Sequence, residues 1–302
     1  MSIKLENITK VYGEQKALDS ISFEANKGEI VALLGPNGAG KSTTMKIISS
    51  YLPANEGSVE VCGLDVKTQD MEIKKKLGYL PENNPLYYQM YVKEYLNFVA
   101  DIHKLDNKTA RIKNVIEQVG LGLEQNKRIA ALSKGYKQRV GIAQSILHDP
   151  EVLILDEPTS GLDPNQLVEI RSLIHSLGKE KTVILSTHIM QEVEAICDRI
   201  IVIDRGKIVA DEQTTKLVSS DKVNDIIYIE LMKDFDVKHF EKLQGIEKTI
   251  PDGRNMFKLF VSKENDVRPE LFDLVVKEGN KILELRTEKI GVEDVFQKLT
   301  KE

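Results

Sequence analysis

The sequence predicts an α/β fold, and three observations carry that expectation. Short, uniformly apolar runs at 30–34, 152–155 and 200–203 have the pattern of strands buried on both faces of a sheet. Between them apolar residues recur at helical spacing, as in Val92, Tyr95, Leu96 and Val99, or Ile112, Val115, Ile116 and Val119. A glycine-rich segment directly follows the first run and opens a helical pattern from about Lys41 to Ser50.

In chain order, strands are expected at 3–8 and 17–23, and the turn Asn26-Lys27-Gly28 leads into a strand at 29–34. Residues from about 83 to 149 read as a helical subdomain inserted into the sheet domain, with Gly120 placed to cap one of its helices. Strands return at 152–155, 182–186 and 199–204, with a helix at about 165–177. After Ser219 the pattern changes. It reads strand 226–231, helix 237–243, a hairpin of 248–250 with 256–261 around Asp252-Gly253, helix 269–277, strand 281–286 and a final helix 292–299. That βαββαβ order predicts a small, ferredoxin-like α+β domain at 219–302, joined through Ser219-Ser220-Asp221 to a larger domain at 1–218. A length of 302 residues suits one large domain and one smaller.

Hydrophobic residues make up 41% and charged residues 29%, enough for a sizeable core. The net charge, 42 − 47 = −5, disfavours nucleic acid as a partner. Cys62 and Cys197 are the only cysteines and form neither a disulfide framework nor a zinc motif, which fits a reducing, cytoplasmic compartment. The opening residues lack the apolar stretch of a signal peptide, and no apolar run approaches the roughly 20 residues of a membrane span.

The strongest chemical motif is Gly35, Pro36, Asn37, Gly38, Ala39, Gly40, Lys41, Ser42 and Thr43, a G-x-x-x-x-G-K-S sequence between a strand and a helix. Its glycines let successive N–H groups point inward, and the helix N-terminus adds partial positive charge, so the segment is suited to polyphosphate. Lys41 is expected on the β- and γ-phosphates, and Ser42 on Mg²⁺. Asp156 and Glu157 follow the apolar run at 152–155, at the end of a strand where α/β folds bind ligands. Asp156 is assigned to Mg²⁺ and Glu157 to the general base that polarises the attacking water. Ser133 is placed to cap a helix whose N-terminus would face an anion. His103, His148 and His175 read as ordinary core or surface histidines.

In this order the motifs resemble those of ATP-binding subunits of ABC transporters, over roughly residues 1–215. Leu132-Ser133-Lys134-Gly135-Tyr136 is similar to the family signature, with Lys134 and Tyr136 departing from its usual Gly and Gln. The resemblance implies that Ser133 and Gly135 meet the γ-phosphate bound by an opposite subunit. It also implies that Asp163, in Ser160-Gly161-Leu162-Asp163, communicates across a dimer of cassettes, and that His188 senses the γ-phosphate. Tyr12 matches the aromatic that stacks on adenine. Glu82 stands where the family carries glutamine, as in its exporter-type branch, and is a further candidate Mg²⁺ contact.

The expected function is therefore ATP hydrolysis that powers a separate membrane permease, most naturally an exporter, with the chain peripheral on the inner face of the membrane. Tyr87, Tyr88, Tyr91 and Tyr95 are the expected docking surface. The 291–296 segment, Gly-Val-Glu-Asp-Val-Phe, resembles the C-terminal extension of drug-export and gliding-motility-associated ATP-binding subunits. Two soluble classes fit less well. Translation-type members carry two cassettes and repair-type members a long coiled coil, and no sustained heptad pattern lies between Thr43 and Leu132. A small-molecule P-loop kinase has no use for the signature.

Overall fold

A computed structural model of the chain describes residues 1–187, 189–219, 223–262 and 266–289. The chain separates into two compact units, Met1–Gln213 and Thr214–Glu302.

The first unit opens with an antiparallel hairpin of β1 (Ile3–Tyr12) and β2 (Gln15–Ala25). It continues through β3 (Ile30–Leu34), α1 (Lys41–Ile48), β4 (Glu56–Val61), β5 (Leu64–Asp65), α2 (Asp70–Lys76) and β6 (Leu77–Leu80). Helices α3 (Val92–Ile102), α4 (Lys108–Gln118) and α5 (Lys134–Ile146) follow, in the stretch expected to be helical. Then come β7 (Val152–Asp156), α6 (Pro164–Gly178), β8 (Thr182–Ser186), α7 (Met190–Ile196), β9 (Arg199–Asp204) and β10 (Lys207–Gln213).

These strands form two sheets. One is antiparallel, in the order β2-β1-β4-β5; the other runs β10-β9-β3-β8-β7-β6. In the second sheet β9, β3, β8, β7 and β6 are parallel, and β10 closes one edge antiparallel to β9. Every residue of β3, β7 and β8 is buried, the expected state of a parallel strand covered on both faces. Leu5, Ile8, Leu18 and Ile21 of the first sheet share one core with Met45, Ile47 and Ile48 of α1 and Leu33, Ile154 and Ile184 of the second. Each such side chain contributes about 1.5–3 kcal/mol by leaving water.

Parallel pairing has a consequence for function: all these strands deliver their carboxyl ends to one edge. Leu33 pairs with Ser186, Ser186 with Asp156, and Leu155 with Leu80. The segments leaving β3, β6, β7 and β8 therefore start side by side, where α/β folds bind ligands.

Several elements differ from expectation. β4, β5, α2, α7 and β10 carried too few buried residues to be legible: α2 buries only Ile73, and β4 buries Val59 and Val61. β1 and β2 run past the expected bounds because pairs with a polar member, Val11↔Lys16 and Tyr12↔Gln15, extend the ladder. Tyr95 corrects the docking-surface expectation: it is 5% exposed, and its hydroxyl donates to Gln144 Oε1. Tyr87, Tyr88 and Tyr91 are exposed.

The second unit contains α8 (Thr214–Ser219), β11 (Val223–Leu231), β12 (Ile246–Gly253), β13 (Met256–Ser262), α9 (Arg268–Lys277) and β14 (Ile282–Lys289). Its strands are antiparallel in the order β12-β13-β11-β14, around a core of Ile227, Ile229, Phe240, Leu259, Leu271 and Val275. The expected helix at 237–243 is a 3-10 segment, Val237–Lys242, and Ser219 of the expected linker closes α8. Ser220, Asp221, the final helix at 292–299 and the 291–296 segment lie outside the described residues.

Because β7 carries Asp156 and is buried throughout, its packing is a stability determinant. Ile154→Ala, at a fully buried position, is expected to cost about 2–5 kcal/mol, read as a lower urea midpoint for the unit holding it.

Candidate active site at the strand ends

The Gly35–Thr43 loop, expected to bind phosphate, begins where β3 ends. Pro36, Asn37 and Gly38 are exposed, whereas Gly35, Ala39, Gly40 and Lys41 are buried. Gly40 immediately precedes α1 with φ 116, and a Cβ there would lie 2.7 Å from the Ala17 carbonyl. Glycine is thus required twice over, by its left-handed backbone and by the close approach of β2. Lys41 Nζ donates to the carbonyls of Gly35 (2.7 Å) and Pro36 (3.1 Å), so the ammonium lies across its own loop. Burial pushes its pKa below the ordinary lysine value, and the carboxylates of Glu157, Asp156 and Glu82 pull the other way. The same carboxylates thus share one electrostatic neighbourhood with the loop.

Asp156, at the end of β7, is 2% exposed. Its Oδ1 accepts from Ser186 Oγ (2.6 Å) and from Ser42 Oγ (3.3 Å). Glu157 follows with φ 50, a left-handed conformation that takes the chain out of the sheet and costs on the order of 1 kcal/mol for a residue with a side chain. Its N–H donates to Ser186 Oγ at 2.9 Å. One hydroxyl therefore holds both positions, donating to the Asp156 carboxylate and accepting from the Glu157 backbone.

Ser42 and Asp156 place two oxygen donors side by side at the start of α1. That set fits Mg²⁺, which takes one or two carboxylates or hydroxyls and completes its octahedron with phosphate and water oxygens. Glu82 is exposed just beyond β6, and its carboxylate acts on both Lys41 and Tyr79. Tyr79 is pushed up to about 12, chiefly by burial and then by the charges of Asp156, Tyr51 and Glu82.

Tyr12 is 47% exposed at the end of β1, with Lys10 Nζ 5.4 Å from its ring centre. It lies one hairpin end beyond Leu18, the residue that abuts Gly40. Ser133 caps α5, its Oγ accepting from the Tyr136 N–H at 3.4 Å. Gly135 faces the Gln166 amide on α6, which a Cβ would have to displace, and the Lys134 ammonium reaches Gly161. Asp163 caps α6 by accepting from the Gln166 N–H at 3.0 Å. Arg139 of α5 pairs with Glu169 of α6, so the two helices are joined within one subunit. Ser133, Gly135 and Asp163 are thus gathered at the facing ends of α5 and α6.

His188 lies outside the described residues. Of the other histidines, His103 stacks on His148 with centroids 4.0 Å apart, and burial pushes His148 down to about 4.

Sequence reasoning missed a further set of residues. Thr159 Oγ1 and Thr187 Oγ1 each donate to Glu192 Oε2 at 2.7 Å, and Glu192 is 1% exposed. A readable sign was present: Glu192 occupies the i+3 position of the apolar stripe Ile189, Val193 and Ile196.

A family model described as ABC transporter matches residues 18–160. The bacitracin transport ATP-binding protein BcrA of Bacillus licheniformis is 34% identical over 310 residues, spanning 98% of this chain and 96% of its own. The linearmycin resistance ATP-binding protein LnrL of Bacillus subtilis (strain 168) is 39% identical over 220 residues, 72% of this chain and 71% of its own. Among solved structures, the dimeric post-hydrolysis state of the cassette MJ0796, bound to ADP and Pi, superposes with a TM-score of 0.64 at 26% identity. That match covers 70% of this chain and 98% of that one. By these likenesses the chain belongs to the ABC transporter family as an ATP-binding, ATP-hydrolysing subunit.

Proposed function

We propose that the chain cleaves Mg-ATP at a site completed by a second copy, and so drives a separate permease that exports its cargo. The observation that carries this reading is the in-register set of parallel strand ends. It brings the Gly35–Thr43 loop, Glu82, Asp156, Glu157 and Ser186 to one edge of the sheet.

In this reading Tyr12 stacks on adenine, and the N–H groups of Gly35, Asn37, Gly38, Ala39, Gly40 and Thr43 cradle the phosphates, with Pro36 shaping the loop. Lys41 exchanges its loop carbonyls for the β- and γ-phosphates. Ser42 and Asp156, with Glu82 nearby, hold Mg²⁺, which offsets phosphate charge when bound. Glu157 accepts a proton from water as its oxygen bonds to the γ-phosphorus and the bond to the departing ADP oxygen breaks. His188 contacts the γ-phosphate.

Ser133 and Gly135 serve the nucleotide of the opposite subunit, and Asp163 lies at the seam between copies. The capped N-terminus of α5 is electrostatically suited to a γ-phosphate. Closure around ATP gains contacts that hydrolysis removes, giving a two-state motion.

Export is favoured by two relatives, one concerned with bacitracin transport and the other with linearmycin resistance. Among the described residues no helix is long and apolar enough to cross a membrane, so a permease in another chain supplies the pathway. The exposed Tyr87, Tyr88 and Tyr91 offer it a docking surface, on the inner face of the membrane. Within the second unit, residues from about 219 to 302 are read as a ferredoxin-like domain. Its antiparallel order places the first strand between the third and the fourth, as a split βαβ requires. Its role is to strengthen the dimer.

Glu157→Gln is expected to bind ATP, to lose about 100-fold or more in turnover, and to accumulate as an ATP-bound dimer on size exclusion. Wild-type turnover in that variant removes the general-base assignment. Glu82→Gln takes a negative charge from beside the γ-phosphate, an effect of about 1 kcal/mol at a solvated position. Basal ATPase should rise roughly fivefold; an unchanged rate means the Glu82 carboxylate does not restrain the site.

A further inference from the structure

We propose that Glu192 is a positioning residue for ATP cleavage, clamping the turn that carries Glu157 to the segment that leads into His188. The inference rests on Glu157 as general base. Glu192 is itself far from a phosphate ligand in character: it is buried in α7 among Val193 and its neighbours, with its carboxylate spent on protein hydroxyls.

The geometry is specific. Glu157, Pro158, Thr159 and Ser160 form a turn closed by the Ser160 N–H on the Glu157 carbonyl at 3.2 Å. The Thr159 hydroxyl extends from that turn to Glu192 Oε2. From the end of β8 the Thr187 hydroxyl reaches the same oxygen, and Thr187 Oγ1 also accepts from the Ile189 N–H at 3.1 Å. Thr187 and Ile189, the residues on either side of His188, are therefore tied together and tied to the Glu157 turn through one carboxylate oxygen. Among the described residues the second oxygen, Oε1, has no hydrogen-bond partner, and it lies 3.9 Å from Arg171 Nη2.

Burying a carboxylate is costly, and this one is balanced by two hydroxyl hydrogen bonds and a nearby guanidinium. The turn it holds needs external support, because Glu157 sits in a left-handed conformation that relaxes if released. Ser186 supplies one tie between the ends of β7 and β8, through the Glu157 N–H. Glu192 supplies the second, on the far side of the turn. Two ties fix both position and orientation where one leaves a hinge, and small displacements of a general base are expensive in rate.

The clamp touches neither the Gly35–Thr43 loop nor Ser42, so its loss should act on cleavage rather than on nucleotide affinity. The test is steady-state ATPase of the full-length chain, with ATP affinity measured in parallel, for Glu192→Ala, Glu192→Gln, Thr159→Val, Thr187→Val and the double threonine variant. Glu192→Ala should lower kcat about tenfold or more with ATP affinity within about twofold of wild type. Glu192→Gln keeps an oxygen that accepts from both hydroxyls, so it should restore most of the rate; a purely charge-based role through Arg171 would leave it as slow as the alanine variant. The double threonine variant should match Glu192→Ala, because both remove the same two hydrogen bonds; it also serves if the alanine variant fails to fold.

Wild-type kcat in either the alanine or the double threonine variant overturns the proposal. So does a parallel fall of kcat and ATP affinity, which marks general loosening of the site. Glu157→Gln is assayed alongside: an inactive Glu157→Gln with a fully active Glu192→Ala sinks the clamp alone, whereas an active Glu157→Gln removes the base and with it the clamp's object.

Discussion

Asp156 and Ser186 end two neighbouring parallel strands in register, and a 2.6 Å hydrogen bond joins their side chains. The rest of the site is arranged around that pair. The same Ser186 hydroxyl accepts from the Glu157 backbone, and the same Asp156 oxygen accepts from Ser42 at the start of the phosphate-loop helix. Elements from three segments, far apart in sequence, converge on two side chains. A one-residue slip between β7 and β8 would separate them and turn alternate side chains to the opposite face. The fully buried apolar sequences of the strands oppose such a slip. Core packing is in this sense the source of catalytic geometry.

Electrostatics then acts on a frame that packing has fixed. Lys41 is buried and its charged form is penalised, but Glu157, Asp156 and Glu82 lie close enough to counter part of that penalty. A polyphosphate entering the loop offers the ammonium stronger partners than the carbonyls of Gly35 and Pro36. It also meets the carboxylates that must be kept apart from it by a cation. On the proposed assignment, binding of nucleotide and of Mg²⁺ would be coupled through charge, with the exposed Glu82 a further carboxylate of the set.

How much of this was legible in the sequence follows from the range of the interactions. Local signals were sufficient for β3, β7 and β8, whose apolar runs are short and unbroken, and for the phosphate loop, whose chemistry lies within nine consecutive residues. The expected cap at Ser133 is also local, reaching an N–H three residues on. Elements that draw their stability from neighbours were not readable: β4 exists because β1 pairs with it, and α2 buries a single side chain. Tyr95 looked like part of an aromatic surface, but its place in the Val92, Leu96 and Val99 stripe sends it inward. Thr159, Thr187 and Glu192 belong to three separate elements, and no local pattern links them. His188 stays a sequence-based assignment, because it lies outside the described residues.

In the proposed mechanism one hydroxyl, on Ser186, holds both the carboxylate assigned to Mg²⁺ and the residue assigned as general base. Single-turnover ATP cleavage by Ser186→Ala, followed as a function of Mg²⁺ concentration, tests it most directly. The account predicts cleavage slowed about tenfold at saturating Mg²⁺, together with a higher Mg²⁺ concentration at half-maximal rate. Cleavage at the wild-type rate and the wild-type Mg²⁺ dependence would contradict it.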